Sequence, residues 1–269
     1  MEATKKLRNA TIALAMGALI ANGAASATSW STDTTDIWWN PGESGWGVNM
    51  IQTGSLIFVT FYLYGADRKP VWFSSSLNAV TGMDNVYTGD LYATTGPYYG
   101  SSFNPSDVYV RKAGTATFSL NTVSSGTLEY TVDGVKVTKA IQRQPLTYDD
   151  YYGDYDVRYT YTNAGCNNPS LNGSVSGSGR VVIDQRQSSM NVDLHYILGD
   201  GVCNSSGTYS QLGRMGTFSG PYTCDWNEKG TALLYEMNNS PYIFTARMRF
   251  TSPTVGCTAE GEIVGVVPR

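Results

Sequence analysis

TLEYTVDGVKVTKAIQ, residues Thr127 to Gln142, alternates apolar and polar side chains on either side of the dipeptide Asp133-Gly134. A period of two sends successive side chains to opposite faces of a strand, and Asp-Gly supplies the two positive-φ positions of a tight two-residue turn. The stretch reads as a β-hairpin, with Leu128, Tyr130 and Val132 sharing one face of its first strand.

Working outward, the same alternation predicts strands over Gly47 to Gln52, Leu56 to Tyr64, Val71 to Ser76, Asn85 to Thr94 and Gly114 to Leu120, with short turns at Thr53-Gly54 and Gly65 to Lys69. Gly96 to Asp107 breaks the rhythm with Pro97, Tyr98, Tyr99, Phe103 and Pro105, and reads as a structured loop. In the second half, strands are expected over Gly153 to Thr162, Arg180 to Asp184, Met190 to Ile197, Thr208 to Leu212, Gly216 to Thr223, Thr231 to Met237, Ile243 to Phe250 and Thr258 to Val264. Asn167 to Gly179, rich in Asn, Ser and Gly, reads as a loop without core-forming capacity. Consecutive short turns imply antiparallel meanders, and no stretch holds a helical apolar period for three turns. The expectation is an all-β chain of two antiparallel meander domains, each barrel-like in the up-and-down manner of lipocalins and avidins, with a pair of β-sandwiches as the runner-up. Gln144 to Asp156, with a proline and four aspartates among tyrosines, sets the boundary at Leu146, giving domains over residues 28–146 and 147–269.

The first 27 residues read as an export leader. Lys5, Lys6 and Arg8 precede an apolar run from Thr11 to Ala21 that is too short to span a bilayer, and Ala25-Ser26-Ala27 forms a small-residue cleavage site. The exported part is expected to begin near Thr28, secreted or periplasmic, without stable membrane insertion. The chain holds 18 Lys and Arg against 22 Asp and Glu; Lys5, Lys6, Arg8 and Glu2 leave with the leader, so the remainder carries a net charge of about −6. A phosphate backbone would be repelled by such a surface, which argues against a nucleic-acid partner. Cys166, Cys203, Cys224 and Cys257 all fall in the second half, and in an oxidising compartment an even set reads as disulfides. Three connectivities are open, of which Cys203 to Cys224 and Cys166 to Cys257 are favoured. The first pair flanks SGTYSQLGRMGTFSG, and the second ties the start of that half to its end. No C-x-x-C occurs, and His195 is the sole histidine, so no metal or cofactor is expected.

The densest local pattern is WWNPGESGWGVNMIQTG, Trp38 to Gly54, followed by YGADRKPVWF, Tyr64 to Phe73. The chain here resembles an exported proteobacterial family with a W-N-P-x-E-S-G-W-G signature, Trp39 to Gly47 in this sequence, and a later Y-x-A-D-x-K-P-x-W hairpin. The resemblance continues through GDLYATTGPYYG, GTATFSL and YTVDGVKVTKAIQRQP, and more weakly to CTAEGEIVGVVPR at the end. It departs at Tyr64-Gly65, where a Tyr-Asp-type turn is common, and at VVPR, where an arginine pair is usual. It implies an exported compartment and a β architecture, and brings no substrate with it.

Physically, Gly45 and Gly47 flank Trp46 on a strand and leave one face open to a close neighbour. One reading makes Trp46 a structural corner at a barrel end. The other makes Trp38, Trp39, Trp46 and Trp72 the walls of an aromatic ligand site, with Glu43 as its orienting polar group.

Catalytic readings are thinner. Asp193 and His195 share a strand face, yet no serine sits in a G-x-S-x-G elbow. Glu43 and Asp67 form a possible glycosidase pair whose separation the sequence does not fix. Asp149, Asp150, Asp154 and Asp156 offer calcium ligands without a recognised spacing. The expected function is an exported, non-enzymatic binding protein for a small apolar or aromatic molecule in a β-barrel. The alternatives are a carbohydrate- or protein-binding surface module using Tyr92, Tyr98, Tyr99 and Trp226, a secreted hydrolase, and an adhesive surface protein.

Overall fold

A computed structural model describes residues 33–186, 189–196 and 201–268, and the expected leader, residues 1–27, lies outside them. The first eight strands are β1 (Asp36–Trp39), β2 (Gly47–Thr53), β3 (Leu56–Tyr64), β4 (Pro70–Ala79), β5 (Val86–Thr95), β6 (Tyr109–Thr122), β7 (Ser125–Val132) and β8 (Val135–Arg143). Each pairs antiparallel with the next, and Trp38 and Trp39 of β1 pair with Arg143 and Gln142 of β8, so the sheet closes on itself. The β7–β8 hairpin turns at Asp133 (φ 47°) and Gly134 (φ 84°), the two positive angles that a two-residue turn of this hand requires.

The second set is β9 (Gly153–Ala164), β10 (Gly173–Arg186), β11 (Ser189–Tyr196), β12 (Val202–Leu212), β13 (Met215–Cys224), β14 (Lys229–Ser240), β15 (Ile243–Ser252) and β16 (Cys257–Val266). It closes through β16 and β9, from Thr258 opposite Ala164 to Val266 opposite Asp156. Two closed up-and-down barrels result. Closure removes the edge strands that a sandwich would leave open.

One strand goes beyond the sequence reading and one loop reading is corrected. The four-residue β1, DIWW, is too short to show a period, and its pairing with β2 and β8 makes it the strand that closes the first barrel. Residues 173–179, expected to be loop, form the outer part of β10 and pair with β9 from Asn163 to Val157. Most of their side chains are exposed, so the ladder of backbone bonds holds them without any apolar alternation. A β-carbon at Gly177 would meet the Tyr159 ring, so the glycine leaves that ring room to lie over β10.

The first barrel has a core of large aromatic and aliphatic side chains. Trp38, Phe61 and Phe118 are fully buried, Trp38 meeting Phe118 edge-on at 5.1 Å and Phe61 meeting Tyr130 at 5.5 Å. The guanidinium of Arg143, also fully buried, lies 4.8 Å from the Trp38 ring centre. It donates to Val123 O at 2.7 Å, Asp33 O at 2.6 Å and Asp36 Oδ2 at 3.2 Å, which satisfies a charge that burial would otherwise make costly. Asp36 Oδ2 also accepts the backbone N–H of Arg214 at 3.0 Å, and Thr35 O accepts Arg214 Nε at 2.9 Å. The β12–β13 turn of the second barrel is thereby tied to the first strand of the first. Gly213 in that turn has φ 61°, and a β-carbon there would strike Asp36 and Arg143.

Candidate functional site

At its end nearest this junction the second barrel is plugged by Tyr151, fully buried and edge-on to Tyr209 at 5.7 Å and to Phe244 at 6.4 Å. Towards the other end the inward positions turn small. Ser205 faces Tyr222 across β12–β13, Ala232 and Ala259 face Phe250 from either side, and Ser252 faces Cys257. An eight-stranded barrel is just wide enough to be filled by side chains or to hold one small ligand. With alanines, serines and cysteines in place of rings, the second barrel is left with a cavity of about 350 Å³.

Its walls are apolar and aromatic: Phe218, Tyr222, Met248 and Phe250 deep in the barrel, Tyr159 and Tyr161 along β9. The last two rings are nearly parallel, 6.0 Å apart at 19°. Half-exposed Trp226 and Leu171 line the opening. Both disulfides, Cys203–Cys224 and Cys166–Cys257, line the same cavity and join β12 to β13 and the end of β9 to β16.

Among the described lining residues, Glu228 alone is charged. Its Oε1 accepts the Tyr222 hydroxyl at 2.8 Å and its Oε2 accepts Trp226 Nε1 at 3.1 Å. Burial, with the hydrogen bond to Glu228 next, pushes the Tyr222 hydroxyl up to about 12, so it remains a neutral donor at any physiological pH. Burial also raises Tyr161, and the neighbouring Glu228 charge adds to that rise. Ser205 donates to Pro221 O at 2.8 Å. Ser252, 4% exposed, lies beside the Tyr222 hydroxyl.

The aromatic set expected in the first barrel is not assembled there. Strand alternation turns Trp38 inward, where it is core and its Nε1 donates to Thr34 O at 2.9 Å. The same alternation leaves Trp72 half-exposed on the outer face of β4, opposite Tyr62. Trp39 follows Trp38 on β1, and its Nε1 is buried without a partner among the described residues. Only Glu43 and Trp46 come together: Glu43 Oε2 accepts Trp46 Nε1 at 2.9 Å, and Lys139 Nζ donates to both carboxylate oxygens at 2.9 and 2.7 Å. The Lys139 hydrogen bond holds the Glu43 carboxyl below the usual carboxylate range, against partial burial and with help from Trp46. Trp46 is partly buried and packs against the core of the first barrel.

The other candidates are dispersed. Asp67 accepts the Lys69 backbone N–H at 3.1 Å within its turn. Asp150 caps the Tyr152 N–H at 2.8 Å and Asp154 pairs with Arg180, so the four aspartates do not converge. Among the described residues no group of three His, Cys, Asp or Glu is placed to hold a metal ion, and no helix is long and apolar enough to cross a membrane. The side chains of Asp193 and His195 lie outside the described residues. Apart from Trp226 and the cysteines, sequence reasoning missed the cavity residues of the second barrel. The available signal was the run of small inward residues, Ser205, Ala232, Ser252 and Ala259, on strands that otherwise alternate large apolar groups.

The fold and site define a double up-and-down barrel protein with a ligand-sized, aromatic-walled cavity in its second barrel. No protein-family model matches the chain, and no curated protein is similar to it. Among solved structures it is similar to the crystal structure of a tryptophan-to-alanine mutant of the vaccine antigen Transferrin Binding Protein B from Haemophilus parasuis Hp5. The identity is 9% and the TM-score 0.32, over 83% of this chain and 61% of that one.

Proposed function

We propose that this chain is an exported, non-enzymatic binding protein that holds a small apolar or aromatic molecule inside its C-terminal barrel. The observation that carries the reading is the cavity of about 350 Å³, walled by aromatic and aliphatic side chains with a few fixed polar groups, the usual form of a small-molecule site. Export is supported by the leader-like first 27 residues and by two disulfides, which persist in oxidising compartments. The aromatic site moves with this reading from the tryptophans of the first barrel to Tyr159, Tyr161, Phe218, Tyr222 and Phe250 of the second. The surface-binding alternative has less behind it: Tyr98 and Tyr99, exposed on the β5–β6 connection, are tilted by 53° to each other and offer no shared plane for a sugar face.

The neutral apolar dye N-phenyl-1-naphthylamine tests the reading. Its fluorescence is expected to rise on binding to the wild-type protein and to fall back in Ala232→Phe, which places a second ring beside Phe250 and fills the space. Native mass spectrometry of protein taken from its own periplasm or medium is expected to show a reproducible extra mass. Dye binding that persists in a folded Ala232→Phe variant would place the dye outside the barrel and remove the proposal's support.

A further inference from the structure

We infer that the cavity selects an organic cation, an ammonium-type head on an aliphatic or aromatic body, with the head held against Glu228 and the body along Phe218, Met248 and Phe250. The inference rests on the binding reading above and goes beyond it by fixing the charge of the ligand.

Two observations converge on it. Glu228 is the charged group of the described lining, and the partners it has, the Tyr222 hydroxyl and the Trp226 indole N–H, are neutral. An ionised carboxylate accepts at about four lone-pair sites, of which these donors take two. Among the described residues the negative charge is therefore oriented but not neutralised, and acceptor capacity is left over. Next, the groups around that charge are aromatic: Tyr222 and Trp226 spend their polar hydrogens on Glu228, and Tyr161 lies within its field. The faces of such rings attract cations, and rings gathered round a carboxylate form the kind of wall that recognises ammonium groups.

The same inventory argues against the other two head groups. A carboxylate or sulfate ligand would meet Glu228 with no cation in the described lining to offset the repulsion. A neutral ligand would gain the apolar contact and at most a hydrogen bond to Glu228, without charge attraction, while covering a charge with no counter-ion in the described lining.

The test uses three molecules with one body: 4-phenylbutylammonium, 4-phenylbutan-1-ol and 4-phenylbutanoate, each titrated calorimetrically and by displacement of N-phenyl-1-naphthylamine. The ammonium is expected to bind at least about tenfold more tightly than the alcohol, with the carboxylate weakest. In Glu228→Gln that preference is expected to collapse towards parity while the alcohol keeps its affinity. The wild-type ranking stands as a test even where the variant fails to fold. Equal affinity for ammonium and alcohol, or a preference that survives in folded Glu228→Gln, overturns the inference and leaves the binding reading standing. Failure of the dye and of all three molecules to bind overturns both.

Discussion

Trp38 and Trp72 are both large, both on strands and both part of the aromatic pattern, yet one position along the pleat separates core from solvent. Trp38 is fully buried between Phe118 and the Arg143 guanidinium, whereas Trp72 is 50% exposed on the outer face of β4. Trp38→Ala is expected to lower stability by about 3–5 kcal/mol, because it opens a cavity and strips Arg143 of a packing partner. Trp72→Ala is expected to stay within about 0.5 kcal/mol. Urea unfolding followed by circular dichroism measures both, and comparable losses would show that the inward assignment of Trp38 is wrong. The aromatic residues themselves were legible in the sequence. Their destinations were not, because Trp38 belongs to a four-residue strand too short to reveal which face turns inward.

At the scale of elements, the second barrel is hollow where its strands carry small inward residues and is braced there by two disulfides. The hairpin signals that place most strands, such as Asp133-Gly134, are local and were readable. The strand over residues 173–179 was not, because a ladder between exposed segments needs no apolar period. Bracing and cavity share residues, since Cys203 and Cys224 line the space they constrain. The double variant Cys203→Ala, Cys224→Ala is expected to lose about 3 kcal/mol in the chain-entropy account of a loop of this length. It is also expected to bind N-phenyl-1-naphthylamine more weakly, as β12 and β13 gain freedom at the cavity wall. Calorimetry and dye titration read the two effects separately. A stability loss with unchanged dye affinity would dissociate the disulfide from the site.

Across the whole molecule, the two barrels share a polar junction in which Arg143 and Arg214, from different barrels, converge on Asp36, while Arg214 also pairs with Asp33. Gln211 extends it, donating to Thr147 O at 3.0 Å and accepting the Asp149 N–H at 2.8 Å from the connecting segment. Removing one member of such a network leaves the others unpaired. The wild type is expected to unfold in one calorimetric transition, and Arg214→Ala in two resolvable ones. Two transitions already present in the wild type would show that the barrels are thermodynamically independent. By itself the sequence determined the all-β class, the meander connectivity and the candidate aromatic groups, because period-two alternation and turn chemistry act over a few residues. Only the tertiary structure decided that the second barrel holds a cavity, and that Glu228 lines it while Glu43 is tied to Lys139. Those outcomes depend on which side chains meet across a closed sheet, and Glu43 is taken by Lys139, 96 residues away in the chain.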